Sequence, residues 1–139
     1  MAIQLSVAVR NARLDAIETV IGTGAKLQIY SGTMPANAAA SATGTKLAEI
    51  TLATDWAAAA ASGSKNFNNT PLSTTGLSGA AGGTNAGYFR LVASDGTTCG
   101  MQGTVTITGG GGDMTVDNLS IASGQAFNVT GFSLTDANA

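Results

Sequence analysis

Residues 88–108 read Tyr-Phe-Arg-Leu-Val-Ala-Ser-Asp-Gly-Thr-Thr-Cys-Gly-Met-Gln-Gly-Thr-Val-Thr-Ile-Thr. Two runs rich in β-branched and aromatic residues flank Ser94-Asp95-Gly96, and Asp-Gly between such runs is a hairpin signal because glycine supplies the positive φ that the tight turn needs. In the returning run Cys99, Met101, Val105 and Ile107 fall at even spacing and are expected on one face. Working outward, residues 109–112 are four glycines and form a corner. Residues 113–117 make a short strand with Met114 and Val116 on one side. The last strand covers residues 125–135; its alternation through Phe127 and Val129 slips near Gly131 and resumes at Phe132 and Leu134, as a bulge requires.

Upstream the same period of two recurs in Lys26-Leu27-Gln28-Ile29 and in residues 46–52, where Ala48, Ile50 and Leu52 share a face. Before these lies a single helical pattern. Ser6 is a natural N-cap for a helix over Val7 to Ile21, and Gly22 and Gly24 close it. Val7, Leu14, Ile17 and Ile21 form one apolar stripe, widened by Val9, Ala12, Ala16 and Val20. Arg10 and Arg13 come early and Asp15 and Glu18 late, which opposes the helix macrodipole. A partner for these charges is one explanation.

Five alanines, Ala57 to Ala61, favour helix, but Ser62-Gly63-Ser64 stops it within a turn or two. Residues 62–87 are crowded with Asn, Pro and Gly and read as a long loop, which in a compact domain is functional or packed on something. The fold class predicted is mainly β, an antiparallel β-sandwich of jelly-roll type with one N-terminal helix. It is expected as one domain over residues 1–139, with the helix about 6–21, the sandwich about 25–137 and the long loop 62–87.

The composition argues against chemistry. The 139 residues include no histidine and one cysteine, and 10% are charged, against the usual quarter. Without histidine no Ser-His-Asp or Cys-His arrangement forms. Ser62-Gly63-Ser64-Lys65 matches a Ser-x-x-Lys pattern but lacks the companion motifs, and Gly44-Thr45-Lys46 lacks the rest of a phosphate loop. Asp113 and Asp117, at even spacing on one strand, are expected on a solvated face, with attraction of a cation as the lesser alternative. No metal or cofactor site is expected, and the chain is not expected to be an enzyme. The six Lys and Arg are scattered, so nucleic-acid binding is not expected. No apolar run reaches membrane-spanning length, and residues 1–6 do not resemble a secretory signal. Cys99 is expected as a small buried hydrophobe. Asn128-Val129-Thr130 is a glycosylation sequon without meaning outside a secretory pathway. Aromatics are 5% of the chain, a thin supply for a core that burial against other subunits would supplement.

Several stretches carry a family resemblance. Val9-Arg10-Asn11-Ala12-Arg13-Leu14-Asp15-Ala16-Ile17-Glu18, followed by Ile21-Gly22-Thr23 and Leu27-Gln28-Ile29-Tyr30-Ser31-Gly32, resembles the opening of small structural proteins of tailed bacteriophage virions. Gly87-Tyr88-Phe89-Arg90, Asp95-Gly96-Thr97-Thr98-Cys99, residues 110–117, Ile121-Ala122-Ser123-Gly124-Gln125 and Phe132-Ser133-Leu134-Thr135-Asp136-Ala137-Asn138 extend it over most of the chain, residues 65–85 least. The resemblance implies a virion component, most like a capsid decoration (cement) protein. Such a protein forms a β-rich homotrimer on the major capsid protein lattice, on the capsid surface, assembled in the bacterial host cytoplasm. The expected contacts with neighbouring subunits or capsid are Val7, Arg10, Arg13, Leu14 and Ile17 on the helix, Trp56, and Phe67, Leu72 and Leu77 in the long loop. A tail, neck or fibre-associated protein is the alternative, as is a glycan-binding module built on an exposed aromatic such as Trp56 or Tyr88.

Overall fold

The computed structural model describes residues 3–137. Met1, Ala2, Asn138 and Ala139, which enter the resemblance and the reading of the N-terminus, lie outside the described residues. One helix, α1 (Val7–Ile21), precedes nine strands: β1 (Lys26–Ser31), β2 (Lys46–Thr51), β3 (Ser64–Asn66), β4 (Leu72–Thr75), β5 (Thr84–Val92), β6 (Cys99–Ile107), β7 (Met114–Val116), β8 (Ser120–Ile121) and β9 (Ala126–Thr135). The fold is mainly β with one N-terminal helix, as the sequence predicts. The helix ends are those its caps dictate. The Ser6 side chain accepts from Val9 N at 3.3 Å, and Gly22, at φ 85°, donates its N–H to Glu18 O at 2.8 Å.

The strands form a single sheet in the order β2-β1-β5-β6-β7-β9-β3, with β4 also paired to β9 and β8 to β5. It is a curled, mixed sheet, and bulges explain the curl, since each extra residue bends its strand and adds twist. Tyr30 and Ser31 pair with Tyr88 and Ala86, leaving Gly87 extra; a Cβ there would lie 2.1 Å from Gly32 O, so only glycine fits. Gly100 is extra between Met101 and Cys99, and Thr130 between Gly131 and Val129, where the broken alternation of β9 had pointed.

Among the described strands all pairs are antiparallel except β6 with β7. A parallel pair ordinarily needs a crossover of a dozen or more residues; here residues 108–113 suffice because the glycines let the chain double back flat against β6. Gly109 and Gly111 have φ of 86° and 79°, Gly112 N donates to Thr106 Oγ1 at 2.9 Å, and side chains at Gly110 or Gly112 would collide with Thr106. Asp113 fixes the return by accepting from Thr104 N and Oγ1 at 2.8 and 2.7 Å. Asp117 is taken up by Asn128 N at 2.8 Å and Nδ2 at 2.6 Å. Each carboxylate therefore serves its own turn.

Residues 62–87 are not a loop. Ala61 and Ser64 exchange both backbone hydrogen bonds across Ser62 (φ 54°) and Gly63 (φ 75°), a two-residue hairpin turn. β3 and β4 then pair with β9, and short turns link them to each other, to the 3₁₀ turn Ser78–Ala80 and to the start of β5. Nor do the alanines form a helix: Ala57 bridges to Phe67 and Ala61 to Ser64 in extended backbone.

The core lies between the concave side of the sheet and α1, built on Leu27, Ile29, Leu47, Phe89, Leu91, Met114, Val116, Phe127 and Val129, all fully buried. Four of the seven aromatics form a chain through it: Trp56 meets Phe67 edge-on (5.8 Å), Phe67 stacks on Phe132 (4.2 Å), and Phe132 meets Phe89 edge-on (5.7 Å). At the β5–β6 turn Asp95 accepts from the Thr98 hydroxyl and from the backbone N–H of Thr97 and Thr98, which lowers its pKa to about 2. An NMR titration is expected to find Asp95 still charged at pH 3; a midpoint in the usual carboxylate range would show the turn open in solution.

Candidate functional site

α1 presents three different stripes, and they sort the residues expected at interfaces. The first faces the core: Leu14 and Ile21 are buried and Ile17 packs against the same cluster. Leu14 is therefore internal to this chain, a correction to its assignment as an intersubunit contact. Trp56 and Phe67 require the same correction, at 2% and 5% exposed. The Trp56 indole also donates to Gly22 O at 3.2 Å, satisfying a carbonyl at the helix end. Leu72 packs partly against the core, whereas Leu77 and Val7 keep substantial exposure.

The second stripe is polar: Asn11, Asp15 and Glu18, spaced four and three apart, lie in one row along the helix. Their oxygens accept from the backbone N–H groups of Gly63 (2.8 Å), Ala60 (2.9 Å) and Ala57 (3.2 Å). The alanine segment thus finds side-chain acceptors at every third residue, which is why it runs extended along α1 despite its helix propensity. Lys65 of β3, 2% exposed, closes the seam with its Nζ at 2.9 Å from Asp15 Oδ1, 2.8 Å from Glu18 Oε2 and 2.9 Å from Ala58 O. The Lys65 hydrogen bond, then that from Ala60 N, holds the Asp15 carboxyl below its ordinary pKa. For Lys65, burial alone would lower the pKa, but the bonds to Glu18 and Asp15 outweigh it and leave it raised. Arg10 donates to Asp136 O at 2.9 Å and Arg13 pairs with the Asp136 carboxylate at 3.3 Å. The charges that run against the macrodipole thus meet partners within the chain.

The third stripe is Val9, Arg13, Ala16 and Val20, at helical spacing on the outer side. Val9 is 46% and Val20 81% exposed, and the Arg13 side chain is 60% exposed. The sequence treats Val9, Ala12, Ala16 and Val20 as widening the core stripe; instead they face away from it. Periodicity finds both rows, and the signal separating them was the polar row, since Asn11, Asp15 and Glu18 mark where the chain packs back on the helix. Comparison with protein-family models, with curated proteins and with solved structures finds no match.

The convex side of the sheet carries a second concentration of polar groups. Tyr88, Arg90 and Gln102 hold the connection between β1 and β2 against it. The Tyr88 hydroxyl donates to Thr43 O (2.6 Å) and accepts from Thr43 N (2.9 Å), Arg90 Nη2 donates to Ala38 O, and Gln102 Nε2 donates to Pro35 O at 2.7 Å. Tyr88 is fully buried and stacks on Tyr30 at 5.3 Å. Trp56 and Tyr88 consequently offer no exposed aromatic platform. Cys99 lies on this side too, half-buried. The bulge at Gly100 turns it to the face opposite Met101, correcting both its expected face and its expected full burial.

Proposed function

We propose that this chain is a structural component of a tailed-phage virion, a head decoration protein that binds the major capsid protein lattice as a homotrimer and acts by binding alone. The observation that carries this is the outer stripe of α1: Val9 and Val20 stand exposed on either side of Arg13, apart from the row that faces the core and the row that holds the alanine segment. Apolar side chains on a rigid, well-capped element are what a binding surface requires. The sequence resemblance supplies the partner. The three linked copies of a trimer add modest contacts into strong attachment through effective concentration.

Val20→Asp tests this directly. Burying a valine is worth ~1.5–3 kcal/mol, so the variant should co-sediment with bare expanded heads about tenfold more weakly, or lose its trimer in light scattering. At a concentration where both proteins are monomeric, its stability should fall by only about 0.5–1 kcal/mol, the cost of an exposed acid in the last turn of a helix. Wild-type protein that is monomeric and ignores heads overturns the proposal, and assembly into rings or tubes instead favours a tail or neck component.

A further inference from the structure

We propose that the cleft between the convex face of the sheet and residues 38–42 is a carboxylate-binding site, with Arg90 as its anchor. Four strands build it in register. Glu49 of β2 faces Gln28 of β1, Gln28 faces Arg90 of β5, and Arg90 faces Gln102 of β6. This polar row lies under the β1–β2 connection, and beside it opens a cleft of about 520 Å³ lined by Gln28, Tyr30, Arg90, Thr98, Cys99 and the alanines of residues 38–42. The volume is that of a small-ligand pocket.

The state of Arg90 points to an anion. Its side chain belongs to a residue only 4% exposed, yet no carboxylate among the described residues forms an ion pair with it. Of its five N–H donors one reaches Ala38 O, and the buried Nε has no partner. Leaving a buried charge unpaired is costly. Nε is sealed from the cleft, whereas Nη1 is neither bonded nor sealed, so the guanidinium favours an anion that reaches its Nη end, and a carboxylate suits that end.

The nearby acids are committed elsewhere. Glu49 accepts from Lys46 at 2.7 Å and Gln28 at 2.9 Å and lies 3.9 Å from Lys26, while Asp95 is closed on its own turn. Gln28 is likewise occupied: it donates to Glu49 and Gly96 O and accepts from the Tyr30 hydroxyl. Arg90 is left as the free cation of the cleft, and the alanine wall gives the apolar remainder of a ligand a place to lie.

Cys99 provides a reporter inside the cleft, as the only cysteine of the chain. Its alkylation by iodoacetate and by iodoacetamide, compared with the same two rates for the uncharged N-acetylcysteine amide, measures whether a carboxylate is drawn in. The iodoacetate-to-iodoacetamide ratio should be about tenfold higher at Cys99 than at the free thiol, the size expected of one charge-assisted hydrogen bond. Acetate should suppress the excess at constant ionic strength and chloride should not. A ratio equal to that of the free thiol, or equal suppression by chloride, overturns the site. Arg90→Gln should abolish the excess; if that variant fails to fold, the wild-type ratio and its competition still decide. Protection by the peptide acetyl-Gly-Glu-Gly-amide well below the acetate concentration needed identifies an acidic side chain of a protein partner as the occupant. Protection by both alike identifies a free small carboxylate. The test does not depend on capsid binding.

Discussion

Phe67→Ala is expected to lower the free energy of unfolding by about 3–5 kcal/mol, the range for truncating a buried aromatic. Phe67 is an interior member of the aromatic chain, stacked on Phe132 and edge-on to Trp56. Its loss opens a cavity between the seam segment and β9 and removes two aromatic contacts, each worth ~0.5–1.5 kcal/mol beyond its area. The backbone around it is tied to the same packing: Asn68 N donates to Trp56 O and Ala58 N to Asn66 O, both at 2.9 Å. Urea denaturation should show a lower midpoint with an unchanged slope, and Phe67→Leu, which refills part of the cavity but still loses both ring contacts, should cost less than Phe67→Ala, about 1–3 kcal/mol. Had Phe67 been a subunit contact, truncation would leave the monomer's stability alone and weaken association. A wild-type midpoint for Phe67→Ala would therefore restore that role and contradict its burial.

What the sequence reveals depends on how local the cause is. The ends of α1 follow from Ser6 and Gly22, whose side-chain oxygen and positive φ act within four residues, and they are legible to the residue. The Asp95-Gly96 turn and the bulge in β9 are equally local. The extended course of Ala57–Ala61 is not, because the acceptors that override alanine's helix propensity sit some 40 positions earlier in sequence on α1. The strands inside residues 62–87 are hidden for the same reason. Asn, Gly and Pro mark their turns, but β3 and β4 are strands only because the ten-residue β9 offers them an edge.

Bulges set a second limit. A period of two places Cys99 with Met101, and one extra residue at Gly100 reverses that, sending the thiol into the cleft. At the candidate interface the residue types were legible and the orientation was not. Val9 and Val20 are as apolar as Leu14 and Ile21, and only the polar row between them tells which side packs inward. The cleft had no sequence signal beyond an arginine in an otherwise apolar strand, Tyr88-Phe89-Arg90-Leu91-Val92. A buried strand rarely carries one without a partner.

Lys65 is the residue whose removal should separate electrostatics from packing in the seam. Removing one member of a buried ion pair costs about 3–5 kcal/mol. Here the Asp15 and Glu18 side chains keep 45% and 20% of their exposure, so water recovers part of the loss, and Lys65→Ala should cost about 2–3 kcal/mol. Lys65→Met keeps the apolar stem along the core and leaves chiefly Glu18 and Ala58 O short of a donor, for about 1–2 kcal/mol. The pH dependence identifies the cause. The Asp15 pKa is lowered by folding, so its contribution is present above the unfolded value of ~3.9 and disappears as pH falls through the folded value. The Lys65 pKa is raised, so its contribution is complete below the unfolded value of ~10.4 and disappears as pH rises through the folded one. The stability difference between wild type and Lys65→Met should therefore be flat from about pH 5 to 9 and shrink below about pH 4 as the seam loses its anion. A difference that persists undiminished at pH 3 would mean that Lys65 holds α1 through packing and the Ala58 carbonyl alone, with its two carboxylates as bystanders.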